Sequence, residues 1–187
     1  MLVMSEKHSS EIEHVQPLPR TLRGLHWATV ALLVVMFGLA WTFDWLRPSD
    51  LRVSLIDFHR SCGILLFLVV VARLAWRATH RLDPVPQGSP RWEHWLASGV
   101  QGALYACLLA MPVLGWVASA MSGDTIKAFG LTLPDVISMN EDRSDWLFEL
   151  HGTLAWVLLA LTGLHVAGAL RHHFVKRDGL INRMRLW

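Results

Sequence analysis

The sequence of 187 residues has few charged residues and only two cysteines. Lys, Arg, Asp and Glu make up 17% of the chain, whereas they form about 25% of a typical soluble domain. Cys62 and Cys107 both lie in apolar stretches, and the chain has no C-x-x-C or C-x-x-C-H motif. The cysteine content therefore argues against a zinc site, an iron–sulfur cluster, a disulfide framework and covalently attached haem.

The first twenty residues lack the apolar core that a secretory signal peptide requires. They are mostly polar, and Pro17 and Pro19 lie near their end. We expect residues 1–20 to form a short disordered cytoplasmic tail.

The apolar residues, 53% of the chain, are concentrated in four long blocks. Each block has the roughly 20 residues that a helix needs to cross about 30 Å of hydrocarbon. The sequence therefore predicts an all-α integral membrane four-helix bundle in a single domain, residues 21–174, followed by a basic cytoplasmic tail at 175–187. The predicted helices are about 24–44, 57–77, 95–120 and 146–170. Tryptophans cluster near the ends of these blocks, as in proteins that contact membrane lipid.

The distribution of basic residues predicts the orientation of the bundle. Twelve of the 17 basic residues fall on the side of the two termini and the 78–94 loop, so both termini are predicted to be cytoplasmic. These twelve are Lys7, Arg20, Arg23, Arg73, Arg77, Arg81, Arg91, Arg171, Lys176, Arg177, Arg183 and Arg185. The 45–56 and 121–145 loops then face outward, and nine of the 15 acids lie on that side, in these loops or at the adjoining helix ends. Gly130 and Pro134 predict a structured turn in the second outer loop.

Four histidines lie inside the apolar blocks, where ionisable residues are candidates for function. They are His26, His59, His151 and His165. His151 and His165 lie about 21 Å apart along one helix and about 40° apart around it. His59 matches His151 in depth, and His26 matches His165. The sequence therefore predicts two histidine pairs, an outer pair (His59/His151) and an inner pair (His26/His165).

Two neutral imidazoles in apolar surroundings are suitable ligands for a low-spin haem, with one nitrogen on each face of the iron. Zinc would need three or four ligands, and the nearest further candidates are Asp57 and Glu149. We therefore predict two non-covalent b-type haems, one held by each pair. The alternative is a haem-free transporter or proton channel in which the histidines relay protons.

Small residues and arginines near the histidines also suit haem. The small residues are Gly24, Ser61, Gly63, Gly152, Gly163 and Gly168. They could leave room for a flat porphyrin, or they could only allow close helix packing. Arg60 at the outer end and Arg23 or Arg171 at the inner end could bind haem propionates, although arginines near helix ends also extend to the interface.

His172 follows His165 by seven residues, which places it about 10 Å further along nearly the same helix face. A group that carries a proton just beyond the inner pair is suited to hydrogen-bond a quinone headgroup. The alternative is an interfacial basic cluster with Arg171 and Lys176.

Several segments together resemble the bacterial di-haem cytochrome b561 family, and in particular its superoxide oxidase type. They are "LHWATV", "DFHRSCGILLFLVVVARL", "MPVLGW", "AFGLTLP" and "LHGTLAWVLLALTGLHVAGALRHHFVKRDGLINRM". The resemblance runs from about residue 20 to the C-terminus. It implies haem b on His26, His59, His151 and His165, and ubiquinone as electron acceptor near His172. It also implies an oxidoreductase that takes electrons from periplasmic superoxide.

The chain departs from the family pattern at two positions beside the outer pair. Gly152 follows His151 where a Glu is expected, and Arg60 follows His59 where a small apolar residue is expected. Both changes favour the local approach of an anion, which makes His59, His151 and Arg60 the predicted site of superoxide oxidation, although the outer face as a whole is acidic. The alternative function is a carrier between the quinone pool and a periplasmic redox partner. No nucleic-acid partner is expected.

Overall fold

The chain folds into four long helices that are apolar enough to cross a membrane. The computed structural model describes residues 16–80, 90–134 and 136–185. The helices are α1 (Arg20–Trp45), α2 (Asp50–Thr79), α3 (Arg91–Met121) and α4 (Glu141–Arg171). Each predicted apolar block lies within one helix, which confirms the all-α membrane fold. Residues 1–15 of the predicted N-terminal tail and 81–89 of the predicted inner loop lie outside the described residues.

Local sequence signals define where the helices begin. α1 starts directly after Pro19, whose extended backbone precedes the first turn. Ser49 caps α2, because its hydroxyl accepts a hydrogen bond from the backbone N–H of Arg52 at 3.3 Å. Asn140 caps α4 in the same way by accepting from the N–H of Arg143 at 2.9 Å. Such caps satisfy backbone donors that have no partner within the helix.

The helices pack in chain order, α1 against α2, α2 against α3 and α3 against α4. Leu66, Val70, Leu108 and Leu158 form the buried apolar cluster at the centre of the bundle. Most buried residues belong to α2 and α3, whereas α1 and α4 bury only two each. Three of the four candidate histidines thus lie on α1 and α4, the two long helices with the fewest buried residues.

A short antiparallel hairpin covers one end of α2. We call this end of the bundle, where the 46–49 and 122–140 connections lie, the outer end. Its strands are β1 (Lys127–Ala128) and β2 (Leu131–Thr132). Phe129 and Gly130 join them with φ angles of 52° and 81°, as in the tight turns that suit two-residue hairpin loops. The N–H of Phe129 donates to the hydroxyl of Ser61 at 2.9 Å, which fixes the hairpin on α2.

The C-terminal segment folds back onto the opposite, inner end of the bundle. A π-helical turn (His172–Lys176) continues α4, and a 3₁₀ turn (Leu180–Met184) follows. The backbone N–H of Leu18 donates to the carbonyl of Arg183 at 3.0 Å, and the indole of Trp27 donates to the carbonyl of Met184 at 2.8 Å. Arg183 and Met184 of the predicted basic tail (175–187) therefore contact the chain at and just before the start of α1.

Candidate functional site

The two histidines of the inner pair face each other across α1 and α4. The ring centres of His26 and His165 are 6.4 Å apart, with an angle of 66° between the ring planes. Metal–imidazole bonds are about 2 Å long, as in zinc sites, so two imidazoles on opposite sides of one ion have ring centres about 6 Å apart. The observed separation therefore leaves room for one metal ion that both imidazoles would hold.

An unpaired ring nitrogen in the inner pair also fits a metal-bound group. The Nδ1 atom of His26 is buried and has no hydrogen-bond partner among the described residues. Leaving a polar nitrogen unpaired in apolar surroundings is costly. The inner pair therefore has a ring nitrogen available for coordination or for a partner that a bound group supplies.

The outer pair joins α2 to α4. His59 and His151 lie close enough for an electrostatic interaction between their rings, and the His59 ring packs edge-on against Phe43 with ring centres 5.4 Å apart. Nδ1 of His151 lies 3.1 Å from the backbone carbonyl of Met111. Because a carbonyl can only accept, Nδ1 carries the proton and Nε2 keeps its lone pair for a metal. The structure thus brings together both pairs that the depth argument predicts.

Gly115 on α3 leaves space for the His151 ring. This role was not expected from the sequence. A Cβ atom at position 115 would lie 3.1 Å from Cε1 and 3.3 Å from Nδ1 of His151. Both distances are shorter than ordinary van der Waals contact. The signal in the sequence was the pairing of Pro112 and Gly115 within an apolar block, since a proline and a glycine together disturb a helix where another group approaches it.

Four of the five glycines near the histidines border open space. A Cβ atom added at Gly24, Gly152, Gly163 or Gly168 would meet no atom within 4 Å, and all four positions are exposed. Close helix packing therefore does not explain these four, and either a bound group or lipid would contact them. Gly63 differs, because it is buried and a Cβ there would meet the methyl group of Met36 on α1 at 3.6 Å.

Arg60 beside the outer pair is engaged by two carboxylates. Its guanidinium lies 3.3 Å from Asp57 and 2.5 Å from Asp124. These contacts tie α2 to the outer loop and offset the positive charge of Arg60. The predicted role of Arg60 in attracting an anion stays a prediction, and the charge available for it is small.

The two arginines predicted to bind propionates at the inner end also have partners within the protein. Arg171 lies 3.1 Å from Glu93 at the start of α3, and Glu93 also pairs with Lys176. Arg23 donates to the backbone carbonyl of Arg185. Both arginines therefore hold the inner end together, and their propionate role stays a prediction.

His172 lies in the π-helical turn, beyond the inner pair along the chain. Its Nδ1 is 2.5 Å from a carboxylate oxygen of Asp178. The pKa of the Asp178 carboxyl is lowered: partial burial alone would raise it, but hydrogen bonds from His172 and from the N–H of Leu180 outweigh the burial. π-helical turns inside α-helices are frequent at functional sites, and here the turn brings His172 and Asp178 together.

A four-helix membrane bundle with facing histidines between its helices is the architecture of a membrane b-type cytochrome. Comparison with known proteins agrees. The family model for prokaryotic cytochrome b561 matches residues 18–186, and the chain belongs to this family. Its members bind b-type haem and transfer electrons across the membrane. The chain is therefore a multi-pass protein of the bacterial inner membrane, and the haem-free alternative does not fit its family.

Individual relatives cover most of the chain. It is 30% identical over 162 residues to "Cytochrome b561 homolog 2" of Escherichia coli (strain K12), which covers 85% of this chain and 86% of the relative. It is 29% identical over 171 residues to "Probable superoxide oxidase CybB" of Yersinia pestis, with 86% and 91% covered. "Cytochrome b561 homolog 1" of Escherichia coli (strain K12) is 24% identical over 161 residues, with 86% and 92% covered.

Proposed function

We propose that this protein oxidises periplasmic superoxide and reduces ubiquinone through two haems b, one held by the outer pair and one by the inner pair. The observation that carries the proposal is the 6.4 Å separation of the His26 and His165 rings, together with a second histidine pair one membrane leaflet away. The similarity to a probable superoxide oxidase supports superoxide as the donor.

The protein's part in this reaction is to hold and orient the ligands. A b-type haem, when bound, supplies reversible one-electron redox chemistry. The carbonyl of Met111 fixes the ring of His151 and leaves Nε2 free, and Gly115 lets the ring approach α3. At the inner end, α1 and α4 each contribute one imidazole to the same level.

The overall reaction balances with two turnovers at the outer site. Two superoxide anions each lose one electron and become O₂, while one ubiquinone gains two electrons and two protons and becomes ubiquinol. We place proton supply at His172, because the Asp178 carboxylate accepts from its Nδ1 and would stabilise the doubly protonated ring, whose Nε2–H could then donate to a quinone oxygen. The cytoplasm is the source of these protons in the predicted orientation.

A second candidate function keeps the same haems but passes electrons between the quinone pool and a periplasmic redox protein. The pairing of Arg60 with Asp57 and Asp124 favours it, because an arginine with two carboxylate partners offers little attraction to a small anion. An acidic outer face would instead suit a basic protein partner.

The test uses the purified, air-oxidised protein and its reduced-minus-oxidised absorption spectrum. We expect superoxide generated in the cuvette to produce the spectrum of reduced haem b, and superoxide dismutase to abolish this reduction. His59→Ala and His26→Ala should each lose one of the two haems. If dithionite reduces both haems but superoxide reduces neither, the donor is wrong and the carrier function is favoured. A spectrum without haem b would refute both functions.

A further inference from the structure

Arg73 is a buried cation inside a membrane-spanning helix. It lies in the inner half of α2 within the apolar run "LLFLVVVARLAW" and is only 8% exposed. An arginine in such a position is expensive unless an anion or several hydrogen-bond acceptors compensate its charge. Long arginine side chains near helix ends usually extend toward water, but this one points into the bundle.

Arg73 forms no ion pair among the described residues. The five ion pairs found in that part of the chain all involve other cations. The Nε atom of Arg73 and the hydroxyl of Tyr105 are both buried without a hydrogen-bond partner. The guanidinium carbon lies 5.4 Å from the centre of the Tyr105 ring. Two neighbouring donors, Nε of Arg73 and the Tyr105 hydroxyl, therefore lack an acceptor, and one negatively charged acceptor would satisfy both.

The position of Arg73 relates this need to the inner pair. Arg73 follows His59 by fourteen residues along α2, just as His165 follows His151 along α4. Helix geometry therefore places Arg73 at the level of the inner pair, where the inner haem would be held. The two arginines expected from the sequence to serve that haem, Arg23 and Arg171, already have partners at the inner end. Arg23 also has a buried Nε without a partner, but its Nη1 donates to a carbonyl, whereas Arg73 forms no hydrogen bond or ion pair among the described residues.

We propose that Arg73, together with the hydroxyl of Tyr105, binds a propionate carboxylate of the haem held by the inner pair. This inference rests on the haem content of the proposed function and is independent of the electron donor. The buried positive charge also makes it easier to add an electron at the inner site, because it compensates the propionate and the added electron in a medium of low dielectric constant.

The experiment compares Arg73→Gln with Arg73→Lys and with Arg77→Gln. Arg73→Gln keeps a polar side chain but removes the charge, whereas Arg73→Lys keeps the charge. Arg77 lies one turn further along α2 and is less buried, so Arg77→Gln is the matched control. Each purified holoprotein is titrated electrochemically while the absorption of its haems is recorded.

We expect Arg73→Gln to lower the equilibrium constant for reduction of the inner haem at least tenfold, which is about 59 mV for one electron. The outer haem should keep its potential, Arg73→Lys should restore most of the shift, and Tyr105→Phe should give a smaller shift in the same direction. If Arg73→Gln binds the inner haem too weakly to titrate, its recovery in Arg73→Lys supports the proposal.

Two results would overturn the inference. One is an Arg73→Gln protein with both haems at wild-type potentials, and the other is an equal shift or equal haem loss in Arg77→Gln. Either result would leave the proposed function intact. A wild-type protein without haem b would instead refute the proposed function itself, so the two failures are distinguishable.

Discussion

Gly115→Ala should disturb the outer pair without touching either of its histidines. The new methyl group would lie 3.1 Å from Cε1 and 3.3 Å from Nδ1 of His151, whereas carbon atoms pack best at about 3.5–4.0 Å. The ring must therefore move away from α3. Because its Nδ1 donates to the carbonyl of Met111 at 3.1 Å, a shift of a few tenths of an ångström would stretch or break that hydrogen bond.

The size of the effect follows from the terms involved. Inserting a methyl group into a packed site costs about 1–3 kcal/mol, and loss of the hydrogen bond costs about 1 kcal/mol more. Replacing glycine by alanine in a helix returns about 0.5–1 kcal/mol. The net destabilisation of the ligand geometry is about 2 kcal/mol, which agrees with the 10–100-fold loss of metal affinity that such supporting contacts typically cause.

The assay is the haem content and redox titration of the purified variant. We expect the outer haem to be depleted or shifted in potential, while the inner haem keeps its spectrum. Gly102→Ala is the matched control, because Gly102 lies on the same helix and an added Cβ there meets no atom within 4 Å. A Gly115→Ala protein with two haems at wild-type potentials would refute the role given to this contact.

Two further perturbations test the supports around the site. Ser144→Ala removes the buried hydrogen bond to the carbonyl of Ala118 at 3.0 Å and should lower the free energy of unfolding by about 1 kcal/mol. Ser54→Ala is the control, because Ser54 is exposed and bonds within its own helix, and it should change the free energy of unfolding little. Equal losses in the two variants would contradict the role given to Ser144. Because the pKa of Asp178 is depressed in the folded protein, its stabilising contact with His172 is fully present above the ordinary carboxyl pKa of about 3.9 and is lost as the pH falls through the lower, folded value. Hydrogen exchange in the π-helical turn, corrected for its intrinsic rate, should show that loss in the wild type but not in Asp178→Asn, and identical profiles would contradict it.

The sequence predicted the levels of the histidines because helix geometry is fixed. A rise of about 1.5 Å per residue and four apolar blocks are enough to place His26 beside His165 and His59 beside His151. The same rule found the four helices, since length and hydropathy determine a membrane span. These features depend on one helix at a time or on depth alone.

The other features of the site depend on contacts between segments that are distant in the sequence. The spacing of residues along the chain does not predict such contacts. Gly115 matters because α4 approaches α3 there, and Arg73 was counted only as one more inner basic residue. Arg60, Arg23 and Arg171 were expected to serve a cofactor, but their partners come from loops and termini whose folding the sequence did not indicate. The return of the C-terminal segment to α1 likewise follows from backbone carbonyls, which carry no residue-specific signal.

The arginines near the two histidine pairs have different partners, and this difference bears on the direction of electron flow. At the outer pair, Asp57 and Asp124 offset the charge of Arg60. Near the inner pair, Arg73 is buried with an aromatic ring beside it and no carboxylate in ion-pair contact among the described residues. Under the proposal above, a propionate would pair with Arg73 and leave that cluster without net charge, whereas two carboxylates outnumber one arginine at the outer pair, and net negative charge repels an added electron. The protein's own charges therefore favour the electron at the inner site, which is the direction that the proposed oxidation outside and quinone reduction inside require.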